Sequence, residues 1–280
     1  MTSILKSIVL ATFIIILPSV KAQADVTSQQ VWDSLRTAMI ASGFKVSASE
    51  TRNGTRLTIG DLQINKRFQD PGGDASGTIS LSVSSLQFLD KGNGKVNIVF
   101  PEKIPVILRS NSPNDGAFEM QLNLTQRNLV ITASGKPDEL RHDYAAETVG
   151  LNLGKFVLDG TEVPGTDVLA ELDIHDITGT SIRALRTDRN YTQNLSIGRM
   201  SYQGSMSIPS AAETRYNFSG QTTGLEFTGT TALPVILNWS DPLAALTAGA
   251  SFDADWRYDR AEGDMSSVQG GEKFQQSSEI

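Results

Sequence analysis

Most of the chain alternates apolar and polar residues with a period of two, which is typical of strands in a half-buried sheet. The alternation starts after Gly43 and is separated into short runs by turn phrases such as "NG", "DPGGD", "DKGNGK" and "NSPNDG". Glycine supplies positive φ in such turns, while proline and Asx residues preset or cap them. Short alternating runs at this spacing predict an antiparallel meander with one apolar and one wet face.

One helix precedes the sheet. Thr27 and Gln30 form a capping-box pair, in which each side chain satisfies a backbone N–H of the first turn. The apolar residues that follow repeat with a helical period, and Gly43 stands where helices commonly end. The pattern predicts a helix over 28–42, with Trp32 and Leu35 buried against the apolar face of the sheet.

A phrase of eight residues, "LTIGDLQI", occurs in similar form four times. Its two apolar pairs, Leu57 with Ile59 and Leu62 with Ile64, are separated by a step of three rather than two. Residues two apart share one face of a strand, so the step moves the second pair to the other face unless one extra residue restores it. A β-bulge provides that residue. The other copies are "LSVSSLQF" (Leu81 to Phe88), "LNLGKFVL" (Leu151 to Leu158) and "LSIGRMSY" (Leu195 to Tyr202).

The residue at the step is Gly60, Ser84, Gly154 or Gly198. Glycine suits a bulge position with positive φ, so we expect positive φ at the three glycines. The alternative is a plain strand with both faces buried. Bulges bend strands and increase their twist, so four of them favour a sheet that curls.

The predicted fold is mainly β: a large curved antiparallel meander sheet, half-barrel or trough-like, with the N-terminal helix packed on it. Asp241-Pro242 is a helix-start pattern, and a short helix is predicted near 242–248. The expected organisation is a signal peptide over 1–24 and a single β-rich domain over 25–262. The polar segment 263–280 has no strong pattern; it is either without an element or an incomplete continuation of the sheet.

The first 24 residues match an export signal. Lys6 precedes an apolar run from Ile8 to Leu17, Pro18 interrupts it, and Ala22 and Ala24 provide the small residues of a cleavage site. The run is too short to span a bilayer as a helix. We therefore expect cleavage after Ala24 and a periplasmic mature protein; the alternative is an uncleaved amphipathic anchor.

Composition limits the partners. The net charge is −7 at pH 7, which disfavours nucleic acid and anionic membrane surfaces. The chain has no cysteine, so burial and hydrogen bonds alone must hold an exported fold. No segment of the mature chain is apolar for long enough to cross a membrane.

Candidate chemistry is sparse. Glu171, Asp173 and His175 alternate on one face of a predicted strand and could ligand a metal, but with no second histidine nearby a solvated sheet face is the better explanation. His142 stands beside a predicted loop, where we also expect solvent. No catalytic, cofactor-binding or metal site is assigned.

Three further patterns have simple structural explanations. Ser42 and Lys45 match an S-x-x-K motif, but the serine closes a helix instead of opening one. Asp253 and Asp255 form a carboxylate pair that should face water. Three aromatic side chains could line a ligand groove, yet aromatics at period two are more often core: Trp239, Trp256 and Tyr258.

Five stretches resemble a family of periplasmic proteins from alphaproteobacteria, the domain of unknown function 2125: "ADVTSQQVWDSLRTAMIASGFKV", "LTIGDLQI", "GTISLSVSSLQF", "NLVITASGKPDELRHDYAAETVGLNL" and "ALTAGASF". The resemblance covers almost the whole chain and rests on strand and turn phrases. It implies a periplasmic protein with no assigned reaction. It also implies a longer common pattern, of which this chain would end partway, just after "SFDADWRY".

These observations favour a non-enzymatic envelope protein that presents an apolar sheet face to a hydrophobic ligand, such as a lipid, or to another envelope protein. No cofactor is expected. The alternative is a periplasmic hydrolase that uses sheet-face carboxylates such as Glu171 and Asp173.

Overall fold

The computed structural model describes residues 26–69, 76–112, 116–165, 167–185, 188–208, 214–234, 247 and 249–279. The expected export signal, with Ala22 and Ala24, lies outside the described residues. So do Trp239 and, except for Thr247, the short helix predicted near 242–248.

The described chain is mainly β, as predicted, with one helix and a 15-stranded antiparallel sheet that closes partly into a ring. The elements are α1 (Ser28–Ala41), β1 (Lys45–Asn53), β2 (Arg56–Gln69), β3 (Ser76–Asp90), β4 (Val96–Val99), β5 (Lys103–Ser112), β6 (Gly116–Arg127), β7 (Val130–Lys136), β8 (Glu139–Leu158), β9 (Thr161–Val163), β10 (Val168–Leu185), β11 (Asp188–Ile208), β12 (Thr214–Pro234), β13 (Ser251–Arg257), β14 (Arg260–Gln269) and β15 (Glu272–Glu279).

The helix prediction is confirmed to within one residue. The Thr27 hydroxyl accepts from the Gln30 N–H and the Gln30 side chain accepts from the Thr27 N–H, which is the predicted capping box. Gly43, with φ of 84°, follows the C-cap. Trp32 is fully buried in the core as expected, whereas Leu35 is only half-buried at its margin.

The sheet has two halves. The main pairing order runs β1-β2-β3-β4-β7-β8-β10-β11-β12-β14-β15. Between β3 and β8 the sheet divides: β4 and β7 bridge them in one half, while β5 and β6 bridge them in the other. We name these the β4/β7 half and the β5/β6 half. At the far side, β13 extends β12 in the β4/β7 half, and β14 and β15 extend it in the β5/β6 half.

A row of irregular positions separates the halves within the long strands, and we name it the junction row. Asp61 of β2, Asp176 of β10 and Gly224 of β12 have positive φ values of 49°, 55° and 61°. The row continues across neighbouring strands. Asp61 lies opposite Ser84 of β3, and Asp176 lies between Glu147 of β8 and Gly198 of β11. One such residue per strand shifts the alternation by one position, so apolar residues on both sides of the row share one face.

The buried core shows that apolar residues on both sides of the junction row share one face. Leu57 and Ile59 before the junction row and Leu62 after it are all buried in the same cluster with Val31 and Trp32. The step of three in "LTIGDLQI" therefore keeps one face apolar, as the bulge interpretation requires.

The predicted backbone at the glycines is wrong. None of Gly60, Gly154 and Gly198 has positive φ. The left-handed residue is instead Asp61, next to Gly60, or Asp176, opposite Gly198. Aspartate tolerates this conformation because its short side chain hydrogen-bonds locally.

Close cross-strand approach explains these glycines. A Cβ on Gly198 would lie 2.9 Å from Cβ of Asp176, and one on Gly60 would lie 2.8 Å from Oγ of Ser49. Gly154 is a true extra residue, because the β6–β8 register shifts by one at Gln121/Leu122. The step in "LNLGKFVL" is thus a separate bulge, away from the junction row.

Contacts from three strands hold the helix on the apolar face. The Ser28 N–H donates to Oδ1 of Asp90 on β3 at 2.7 Å, and Trp32 Nε1 donates to Oε1 of Glu50 on β1, also at 2.7 Å. Arg183 on β10 donates to the Ser34 carbonyl at 3.0 Å. Because β10 is four pairings away from β3, the sheet must curl around α1 for all three contacts to form.

The polar segment after Gly263 belongs to the sheet. It supplies most of β14 and all of β15, paired as a hairpin from Glu262 opposite Glu279 to Gln269 opposite Glu272. Sequence periodicity missed it because the strands are rich in serine, glutamine and glutamate, with little apolar alternation.

Candidate binding surface

The apolar face continues far beyond the helix-covered core. In the β4/β7 half, a row of opposed residues leads from the core to the edge strand: Phe88, Ile98, Ile131, Tyr144, Gly179, Leu195, Phe227 and Trp256. In the β5/β6 half, a parallel row starts at buried Ile104 and includes Leu124, Leu151, Leu172, Tyr202, Gly220 and Gly263. Directly opposed residues share a face, so one apolar surface spans the described sheet.

The β11–β15 end of this face is exposed. Six large side chains stand there on adjacent strands, and we name them the apolar patch: Tyr202, Met206, Tyr216, Phe218, Met265 and Phe274. Phe218 is opposite Met265 and 48% exposed, and Phe274 is 54% exposed. Nothing in the described residues covers them. Contiguous exposed apolar surface of this kind usually marks a binding site for a ligand or partner.

The tips of aromatic rings reach over glycines on this face. A Cβ built on Gly204 would overlap the ring of Phe218, and one on Gly220 would overlap Tyr202. Gly77 stands in the same relation to Phe68. A ring that lies across a glycine shields its backbone and keeps the surface low. In the patch, the rings therefore occupy the space that side chains at these glycines would take.

The aromatic residues in β13 and directly after it are exposed, which contradicts the expectation that Trp256 and Tyr258 are core. Phe252 is 67% exposed, Trp256 62% and Tyr258 45%. Trp256 does pack on Phe227, with ring centroids 4.5 Å apart. The rings are exposed because β13 pairs only with β12 among the described strands, so no neighbour covers their far side.

The opposite, polar face carries the predicted carboxylates. Glu171 and Asp173 line a depression of about 630 Å³, and the β14 residues Glu262 and Asp264 also line it. The Gln203 side chain donates to Glu171. His175 does not line the depression; its Nδ1 lies 3.4 Å from Oγ1 of Thr148. Predicted and unpredicted carboxylates thus line one depression, and the histidine lies outside it on the same face.

A second depression on the polar face is lined by charges of both signs. It has a volume of about 640 Å³, and Arg67, Arg109 and Glu119 are among its lining residues. Arg109 Nε donates to Glu119 at 2.7 Å. Hydrogen bonds from Gln121 and then Arg109 lower the pKa of Glu119. The polar face therefore carries a carboxylate-lined depression in one place and an arginine–glutamate pair in another.

His142 is not beside a loop, as expected, but within β8 on the apolar face. It lies opposite Ala133 and Ser181 and is half-buried. Burial lowers its pKa, and the nearby Arg183 charge lowers it further. The neutral imidazole is thus favoured there.

The remaining predicted sites have structural roles or face water. Ser42 is the helix C-cap, and its hydroxyl donates to the Ala38 carbonyl at 2.9 Å. Asp253 and Asp255 are exposed on the polar side of β13. Across the described ranges, no three His, Asp or Glu side chains are grouped so that they could hold a metal ion. The helix that the structure describes is not long and apolar enough to cross a bilayer.

Sequence reasoning missed most of the apolar patch and two copies of the repeated phrase. Ile174 and Ile177 in β10, and Thr222 and Leu225 in β12, show the same step of three across the junction row. That step was the available signal. The sequence contained no signal that the patch is exposed, because covered and open apolar faces have the same alternation.

No family profile matches the chain, and neither the curated proteins nor the solved structures searched contain a match. The resemblance to the domain of unknown function 2125 therefore stays a prediction.

Proposed function

We propose that the protein is an exported periplasmic envelope protein that binds a hydrophobic ligand, such as a lipid, or an apolar partner on its sheet face, and that it is not an enzyme. The observation that carries the proposal is the apolar patch, continuous with the core and open at β11–β15. The export pattern before Asp25 supports an extracytoplasmic location.

The apolar patch fits acyl chains or another apolar sheet. Aromatic rings offer wide apolar contact with few directional hydrogen bonds, so binding would depend on buried area more than on a defined polar group. Burying a Phe or Met side chain contributes about 1.5 to 3 kcal/mol, so a few of these residues suffice for measurable affinity.

A fluorescent naphthalene-sulfonate probe tests the surface directly. We expect saturable binding to the purified protein, weakened at least about tenfold in a Phe218→Gln/Met265→Gln variant, because two opposed apolar side chains are lost. The matched control is Asn217→Gln/Ser266→Gln, which changes the adjacent pair on the polar face of the same strands. Equal affinity in both variants would place the binding elsewhere.

Lipid extraction from periplasmic protein, followed by mass spectrometry, then identifies a natural ligand. The hydrolase alternative makes a different prediction: turnover of chromogenic esters or phosphates that is lost on Asp173→Asn and kept in the Phe218→Gln/Met265→Gln variant. That outcome would replace the binding proposal.

A further inference from the structure

From the geometry of β13 we infer that its free edge accepts an extended strand of another polypeptide, in which apolar and basic residues alternate. This site is separate from the apolar patch and goes beyond the proposed function.

Among the described residues, no strand lies along the outer edge of β13. Six of the seven residues in β13 are exposed, and only Ala254 is partly covered. The strand pairs with β12 from Ser251 to Arg257 and with no other strand in the described chain. The backbone groups of an unpaired edge are a template for another strand.

The position beside this edge is one that a further strand of the sheet could take. β15 lies one strand further out than β13, but only in the β5/β6 half, and it ends at Glu279, opposite Glu262 near the junction row. The line of β15, prolonged across that row, passes along β13. β15 is antiparallel to β14, and β13 runs in the same direction as β14. An incoming strand that continues the line of β15 is therefore antiparallel to β13 and lies next to the end of β15.

The two faces of β13 define the chemistry of the incoming strand. On the apolar face, Phe252 and Trp256 are mostly exposed and need apolar cross-strand neighbours to bury them. On the polar face, Asp253 and Asp255 stand opposite Thr230 and Thr228, and neither has an ion-pair partner among the described residues. Lysine or arginine opposite each carboxylate supplies the missing charge.

Charge also disfavours a second copy of the chain at this edge in the register that pairs the whole of β13. In an antiparallel pair of two β13 strands centred on Ala254, Asp253 of one copy stands opposite Asp255 of the other. Like charges directly opposite each other destabilise a strand pair. A basic strand has no such penalty.

The test uses an acetylated and amidated heptapeptide, Glu-Val-Lys-Val-Lys-Val-Thr, whose antiparallel register places glutamate opposite Arg257 and lysines opposite both aspartates. Backbone hydrogen exchange is followed by mass spectrometry on the intact protein. We expect residues 251–257 to exchange at least about tenfold more slowly with saturating peptide, as newly bonded amides do.

Three comparisons make the result specific. A scrambled peptide of the same composition, without alternation, should give no protection of 251–257. In the Asp253→Lys/Asp255→Lys variant, affinity for the lysine peptide should fall roughly 3- to 30-fold. A peptide with both lysines replaced by glutamate should show the reverse preference. Both side chains are exposed, and the unfolding midpoint verifies that the variant keeps its fold.

Three results overturn the inference: no protection of 251–257, equal protection by the scrambled peptide, or an affinity unchanged by charge reversal. Concentration-dependent protection in the protein alone would also overturn it, because copies of the chain would then occupy the edge. None of these outcomes affects probe binding at Phe218 and Met265, so failure here is distinguishable from failure of the proposed function.

Discussion

At the scale of single residues, the apolar face is built from aromatic rings paired with glycines. Phe218 over Gly204 and Tyr202 over Gly220 show the principle: the glycine has no side chain, and the ring from a nearby strand occupies the vacant space. Glycine weakens a strand by itself, and the ring compensates by covering the exposed backbone. The two residues should therefore act as one energetic unit.

A double-mutant cycle tests this unit. We expect Gly204→Ala to cost about 0.5 to 1.5 kcal/mol in urea unfolding, because the new methyl group pushes the tip of the exposed Phe218 ring out of its position. In a Phe218→Ala background the same change should be nearly neutral, which corresponds to a coupling of roughly 0.5 to 1.5 kcal/mol. Gly165→Ala, where no atom lies within 4 Å of the new Cβ, is the control. Equal costs in both backgrounds would refute the pairing.

At the scale of elements, α1 is the only described element that covers part of the apolar face. Its N-terminus is fixed by Asp90, its indole by Glu50 and its middle by Arg183. The Trp32 hydrogen bond is the largest cause that lowers the pKa of Glu50. Helix and sheet are thus joined by both apolar packing and specific polar contacts.

Truncation along the helix should show graded costs. We expect Trp32→Ala to lower the unfolding free energy by about 3 to 5 kcal/mol, since the side chain is fully buried. Leu35→Ala should cost less, about 1 to 2 kcal/mol, because the side chain is half-buried. Ile40→Ala, at a 52% exposed position, should change stability by less than about 0.5 kcal/mol. A loss below that level for Trp32→Ala would mean that the helix is a solvated arm.

Local patterns predicted the elements that depend on local chemistry. The capping box and Gly43 define α1, and the step of three in "LTIGDLQI" defines how a strand keeps its face. The same reasoning failed for Gly198, where the requirement comes from Asp176 on the neighbouring strand. It failed again for Trp256, because exposure depends on whether a further strand lies alongside. Neither cause is visible within one segment of sequence.

At the scale of the whole molecule, stability should depend on pH through His142. Burial makes its pKa in the folded protein lower than the value of about 6.5 in the unfolded chain. Between those two values the unfolded chain binds more protons, so the free energy of unfolding falls as the pH drops below about 6.5. The loss is complete once the pH is below the folded-state pKa.

We expect His142→Gln to remove this decline, measured by urea unfolding at several pH values between 7.5 and 5. His175→Gln, which removes the other histidine of the chain, controls for loss of an imidazole as such. A slope that is the same in wild type and His142→Gln would show that other groups cause the pH dependence.

The junction row limits which insertions and deletions the long strands can tolerate. Each long strand has a step of three residues at the junction row. The number of residues in that step determines which side chains of each half lie on the apolar face. Deletion of one codon at Gly198 would turn Tyr202 and Met206 to the wet face and expose polar neighbours to the core side, although every remaining residue is unchanged. We expect the turns to tolerate insertions and deletions better than the strands, in which only changes of two residues keep every side chain on its own face.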